Sequence, residues 1–228
     1  MNGARILALV LVAALPSAFT GAQQPAATET RTAASFDGLD SVVYHLAPSS
    51  RLQVKTGKAG LFGFAGHSHL IRARAFTGRV VYYPKAPAES HLEITVDAES
   101  LEVLTPPDTA EIRKVTATMR SDILHVEQYR EIRLVSRRVT PKSGGFRLIG
   151  ALTLVGQTRE VPIEIEADPR PDTLRAAGTF SVKQSDFGIK PFSGGPAGTV
   201  KVADRVKFDI AVIAGSGAPD TIGAGTRR

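Results

Sequence analysis

Two imidazoles stand two residues apart in Gly66-His67-Ser68-His69 and form the one constellation in this sequence with reactive potential. On an extended chain, residues i and i+2 share a face, so both rings project the same way. Two imidazoles are half of a zinc or copper site, and His125 is the candidate third ligand if the fold carries it close. The 228 residues contain no cysteine, and no acidic residue stands at matching spacing. The expectation is therefore no metal, with both rings at the rim of a lumen, bonded to backbone or to a ligand head group. A metal-binding or small redox-associated protein built on His67 and His69 is the alternative. His45 and His91 stand alone and read as structural or exposed.

Nothing else asks for catalysis. Asp186-Phe187-Gly188 copies a kinase triplet without a glycine-rich phosphate loop or a catalytic loop, so it reads as a turn. Ser193-Gly194-Gly195-Pro196 lacks a Gly-Lys-Ser/Thr ending and reads as a loop. No serine sits in Gly-x-Ser-x-Gly, and no carboxylate pair stands out for acid–base work. Neither catalytic residues nor cofactors are expected.

The elements that position these side chains begin after residue 22. Arg5, the apolar run Ile6 to Leu15 and the small residues Thr20-Gly21-Ala22 form a signal peptide (1–22) cleaved before Gln23. The run is too short to cross about 30 Å of hydrocarbon. Residues 23–40, rich in Ala, Thr and Gln, read as a flexible leader, and 215–228 as a disordered tail. Between them, 41–214 is long enough for one well-cored domain. The absent cysteine rules out disulfide staples. The formal charge of +6 comes from basic residues scattered along strands, without a block or interleaved aromatics. Nucleic acid is therefore not an expected partner; weak, transient attraction to anionic membrane surfaces is. Pairing into a homodimer is left open.

Period-two alternation marks strands. Leu92, Ile94 and Val96 share a face, as do Phe146, Leu148, Leu152 and Leu154, with Gly150 where the strand has room to bend. Val161, Ile163 and Ile165 oppose Glu164 and Glu166; Val206, Phe208, Ile210 and Val212 oppose Lys207 and Asp209. Turn signals fall at Pro84, Lys142 to Gly145, Gly156-Gln157 and Asp168 to Asp172. One helix interrupts the strands: Asp108 with Glu111 reads as a capping box, and Ile112, Val115 and Met119 follow at helical spacing. The class is all-β, an antiparallel barrel or sandwich with one short inserted helix. Charged residues alternate with the apolar ones and aromatics are only 6%, which argues against a membrane-spanning barrel.

From about Ser41 to Ala214 the chain resembles the YceI-like family. The matching residues are Tyr44-x-Leu46-x-Pro48-x-Ser50, Phe76-x-Gly78-x-Val80, Ile94-x-Val96-x-Ala98-x-Ser100-Leu101 and Tyr129-x-x-Ile132-x-Leu134-x-Ser136. The strongest is Gly150-x-Leu152-Thr153-Leu154-x-Gly156-x-Thr158-x-x-Val161, followed by Ser185-Asp186-Phe187-Gly188-Ile189 and Val202-x-Asp204-x-Val206. Where the family carries a histidine-leucine-glycine element, this chain has Lys58-Ala59-Gly60. The resemblance implies a periplasmic, lipocalin-like barrel with an isoprenoid-type lipid in its lumen. On that reading Phe62, Phe64, His67, His69, Phe187 and Phe192 lie at the mouth. Phe76, Leu148, Leu152 and Phe208 complete the candidate ligand contacts.

Overall fold

Each alternating stretch named above is a strand in the computed structural model, which describes residues 40–59, 68–105, 109–194 and 200–217. In chain order the strands are β1 (Val42–Leu46), β2 (Arg51–Ala59), β3 (Leu70–Ala73), β4 (Phe76–Tyr82), β5 (His91–Asp97) and β6 (Leu101–Val103). After the helix α1 (Thr109–Thr118) come β7 (Glu131–Lys142), β8 (Gly145–Leu154), β9 (Gln157–Pro169), β10 (Thr173–Lys183), β11 (Ser193–Gly194) and β12 (Val200–Ser216).

The pairing is antiparallel, in the order β1-β4-β5-β7-β8-β9-β10-β12, and β12 pairs back onto β1 to close a ring of eight. The remaining path, β12-β2-β3-β6, is the upper continuation of that ring. β1 runs on into β2, β3 into β4 and β5 into β6, each across a short break, so eleven of the twelve segments form an eight-stranded meander, and the short β11 pairs with β12 beside it. The lower end carries the β7–β8 and β9–β10 turns. The upper end carries α1 and the connection from β10 to β12. An eight-stranded barrel of this kind either fills with side chains or holds one small ligand.

Alternation then sorts the faces. Leu52, Ile94, Leu134, Leu152, Phe180 and Val206 are buried in one inward-facing cluster. The outer face is charged and carries cross-strand ion pairs: Arg133 with Glu93, and Lys142 and Arg147 with Glu164. A transmembrane barrel has the reverse arrangement. No helix among the described residues is long and apolar enough to cross a membrane.

Local features add to the pattern in the sequence. β8 stays paired to both neighbours through Gly150, and the register shift opposite that glycine lies on β7, between Ser136 and Arg138. Gly150 also makes room: a Cβ there would stand 2.7 Å from Leu134 Cδ1. The β8–β9 turn is Val155-Gly156, both at positive φ, and Gln157 already pairs with Leu154. The helix ends in one π-turn, Met119–Ile123, so Met119 sits in that turn rather than in regular α-helix. Asp108 of the expected capping box lies outside the described residues.

At the break between β1 and β2 a side chain takes over the ladder. The Ser50 hydroxyl donates to the Ile213 carbonyl at 2.9 Å and accepts from the Ile213 N–H at 3.0 Å. Ser50 is 1% exposed, so losing this bridge leaves a β12 amide without a partner. Ser50→Ala is expected to cost about 1–3 kcal/mol, read as a lower denaturant midpoint at unchanged m-value. A midpoint equal to wild type would contradict this reading of the break.

Candidate functional site

The upper half of the barrel is hollow. A cavity of about 570 Å³ lies between β2, β3, β5–β8, β10 and β12, under α1 and its π-turn. Its walls are almost entirely aliphatic and aromatic, with Leu52, Val96, Leu152, Phe180 and Phe208 among them. Phe180 and Phe208, paired across β10 and β12, stack with centroids 4.7 Å apart. Packed interiors rarely hold voids larger than a water molecule. At about 24 cal/mol per Å³, leaving this volume unfilled would forfeit on the order of 14 kcal/mol of packing, as much as a whole domain's net stability of about 5–15 kcal/mol. Such a space suits an apolar occupant.

The roof is tied down at two places. Arg120 in the π-turn after α1 donates through Nε and Nη2 to the Leu101 carbonyl at 3.1 and 2.9 Å, and Thr116 Oγ accepts from the Val103 N–H. These contacts pin α1 to β6 and satisfy part of that short strand's edge. On the other side, a 3₁₀ turn over Gln184–Phe187 buries Phe187 and leads to Ile189 in the cavity wall. Asp204 accepts from Ser185 N–H at 2.8 Å and Ser185 Oγ at 2.7 Å, anchoring this turn to β12.

Polar groups gather at the rim. His69, Gln184, Lys114 and Lys201 all border the cavity. His69 Nδ1 lies 2.7 Å from the Thr105 carbonyl. A carbonyl only accepts, so Nδ1 carries the proton, and in the neutral ring Nε2 is left as an acceptor.

The candidate ligand residues fall in different places. His69, Leu152, Phe192 and Phe208 border the large cavity, Phe192 being 39% exposed with its ring over Gly194. Leu148 borders a separate cavity of about 80 Å³ in the lower barrel. Phe76 and Phe187 pack within the core and border neither. Phe62, Phe64 and His67 lie outside the described residues. His125 is exposed, and among the described residues no three His, Cys, Asp or Glu side chains converge as a metal site. The sequence reading missed the lid's contribution: Val115, Thr118, Met119, Ile123 and Leu124 all face the cavity. Ile112, Val115 and Met119 signalled an apolar stripe, but a stripe does not say whether it meets packed core or open volume.

The family model for the YceI-like domain matches residues 45–214. The chain belongs to the YceI-like family. Solved structures share the fold. BcnA of Burkholderia cenocepacia is similar with a TM-score of 0.60 at 17% identity, covering 74% of this chain and 98% of that one. A polyisoprenoid binding domain from Saccharophagus degradans, implicated in plant cell wall breakdown, gives 0.52 at 11% identity over 78% of this chain and all (100%) of that one. A Campylobacter jejuni YceI protein gives 0.51 at 13% identity over 65% and 85%. A search of the curated proteins finds no match to this chain.

Hydrogen bonds from Ser185, first its hydroxyl and then its N–H, hold the Asp204 carboxyl below the ordinary carboxylate range, against the opposing effect of burial. A carboxylate with a lowered folded pKa contributes stability above its unfolded pKa and loses it as pH falls through the folded value. The anchor of the Gln184–Phe187 turn should therefore hold at neutral pH and release in acid. Asp204→Ala is expected to lower amide protection at Gly188 and Ile189 at neutral pH and to abolish its acid-dependent loss. Equal protection in variant and wild type would contradict the anchoring role.

Proposed function

We propose that this chain is an exported periplasmic carrier that holds one long, apolar, isoprenoid-type lipid in its upper cavity. The observation that carries the reading is the cavity of about 570 Å³ walled by apolar side chains in the upper half of the barrel. That volume lies within the about 300–1,000 Å³ usual for ligand pockets. The Saccharophagus degradans neighbour, a polyisoprenoid binding domain, and membership of the YceI-like family support the ligand class. The signal-like residues 1–22 support export.

Affinity in this scheme comes from area removed from water, about 0.8 kcal/mol per buried methylene before ordering costs. It therefore grows with tail length and discriminates by length and girth rather than by hydrogen bonding. The head group stays at the rim. His69, Lys114, Lys201 and Glu111 all border the cavity and offer a head group polar contacts of both signs. His69 acts in this reading as a polar rim contact and not as half of a metal site.

The two leucines of β8 give the test. Leu152 borders the large cavity and Leu148 the small one. In Leu152→Trp the added ring takes up ligand space, so lipid uptake should fall at least tenfold with only a small drop in melting temperature. In Leu148→Trp the ring enters a nearly filled region, costing about 1–3 kcal/mol with uptake retained. Uptake of a long prenyl alcohol, followed by extraction and quantitation, checks both. Full uptake by Leu152→Trp would contradict the placement of the lipid.

A further inference from the structure

The lumen is two chambers rather than one tube. Ile94, Leu134 and Ile210 border both the large upper cavity and the small lower one of about 80 Å³. Ile94 and Leu134 are direct register partners on β5 and β7. Ile210 lies on β12, four strands from β7 in the ring of eight and therefore across the barrel. Glycine neighbours them: Gly78 pairs with Ile94 and Gly178 with Ile210. At Gly150 the missing side chain lets Leu134 lie against the strand, since a Cβ there would stand 2.7 Å from Leu134 Cδ1. Large side chains and bare backbone thus interlock at one level of the barrel.

Below that level the walls remain apolar, with Leu46, Val80, Leu148, Ile163 and Ala176 around the lower chamber. Tyr82 and Phe146, both bordering it, meet edge to face with centroids 6.2 Å apart. The floor is a second buried cluster of Tyr44, Leu174, Val212 and Ala214, closed by the Tyr44 hydroxyl donating to the Arg170 carbonyl at 2.5 Å. The lower chamber is therefore apolar, and the three shared side chains lie between it and the space above.

We propose that Ile94, Leu134 and Ile210 form a septum that stops the lipid tail and sets its maximum length. This rests on the lipid-carrier reading above. A tail shorter than the upper chamber gains affinity with every unit added, about fourfold for each methylene removed from water. A tail that reaches the septum gains nothing from a further unit, which must remain outside at the mouth. The lower chamber becomes usable only when the septum is cut back.

The test uses a homologous series of linear prenyl alcohols of increasing isoprene number, titrated into the full mature chain. In wild type, affinity should climb with length to a breakpoint and then level off or fall. Leu134→Ala with Ile210→Ala should move the breakpoint one or two isoprene units longer. Because large-to-small changes in a core carry a risk of misfolding, a second variant leaves the septum intact. Ala176→Leu fills the lower chamber, and with the septum in place it should leave the breakpoint unchanged. A breakpoint that Ala176→Leu shortens, or that stays fixed in a folded septum variant, overturns the septum while leaving the carrier reading standing. Failure of every prenyl alcohol to bind wild type overturns both.

Discussion

The structure depends on closure by β12. This strand pairs with β10 along one edge and along the other with β1 at the lower end and β2 above. One seventeen-residue strand thus serves as partner to both halves of a broken strand. The break would leave β12 groups without partners were it not bridged, and the Ser50 hydroxyl, with the Ala47 N–H at 2.8 Å from the Ile213 carbonyl, bridges it. Closing the ring of eight removes its edges and leaves that of β6, at the end of the upper path, to be covered by α1, and a closed ring of eight has an inside. All that follows concerns what fills that inside.

Filling is uneven along the axis. In the lower half, Leu148, Ile163 and Val139 are all at least nine-tenths buried, and only about 80 Å³ remains free. In the upper half the wall side chains do not meet across the lumen, and α1 lies over the space as a lid instead of plugging it. Small residues such as Ala73 on β3 contribute to this. The lower half therefore supplies packing stability and the upper half supplies volume. The waist at Ile94, Leu134 and Ile210 separates the two duties.

Much of this was legible in the sequence, because inward and outward positions are a property of two-residue periodicity. Leu92-Ile94-Val96, Phe146 to Leu154 and Val206 to Val212 face inward as alternation requires, and Glu93, Glu164 and Lys207 face out. Depth was not legible. Leu148 and Leu152 share a face in any strand reading, yet they border different chambers. Their height is set by how eight registers stagger around the ring, a relation among strands distant in sequence. The broken strands were hidden for a related reason: nothing local distinguishes Arg74-Ala75 as a kink within one barrel strand from a turn between two. Gly150 marked room for a bend, but the close approach it allows, by Leu134 sixteen positions back on the neighbouring strand, was not legible. His69, read as a rim residue bonded to backbone or to a head group, meets the Thr105 carbonyl through Nδ1.

Occupancy of the upper cavity by one lipid can be read by native mass spectrometry of the protein recovered from cell envelopes without detergent. The expected result is a dominant species heavier than the polypeptide by one lipid, released on denaturation as an isoprenoid-type molecule in a ratio of one to each chain. A bare polypeptide as the sole species, unchanged after incubation with native lipid extract, would contradict it.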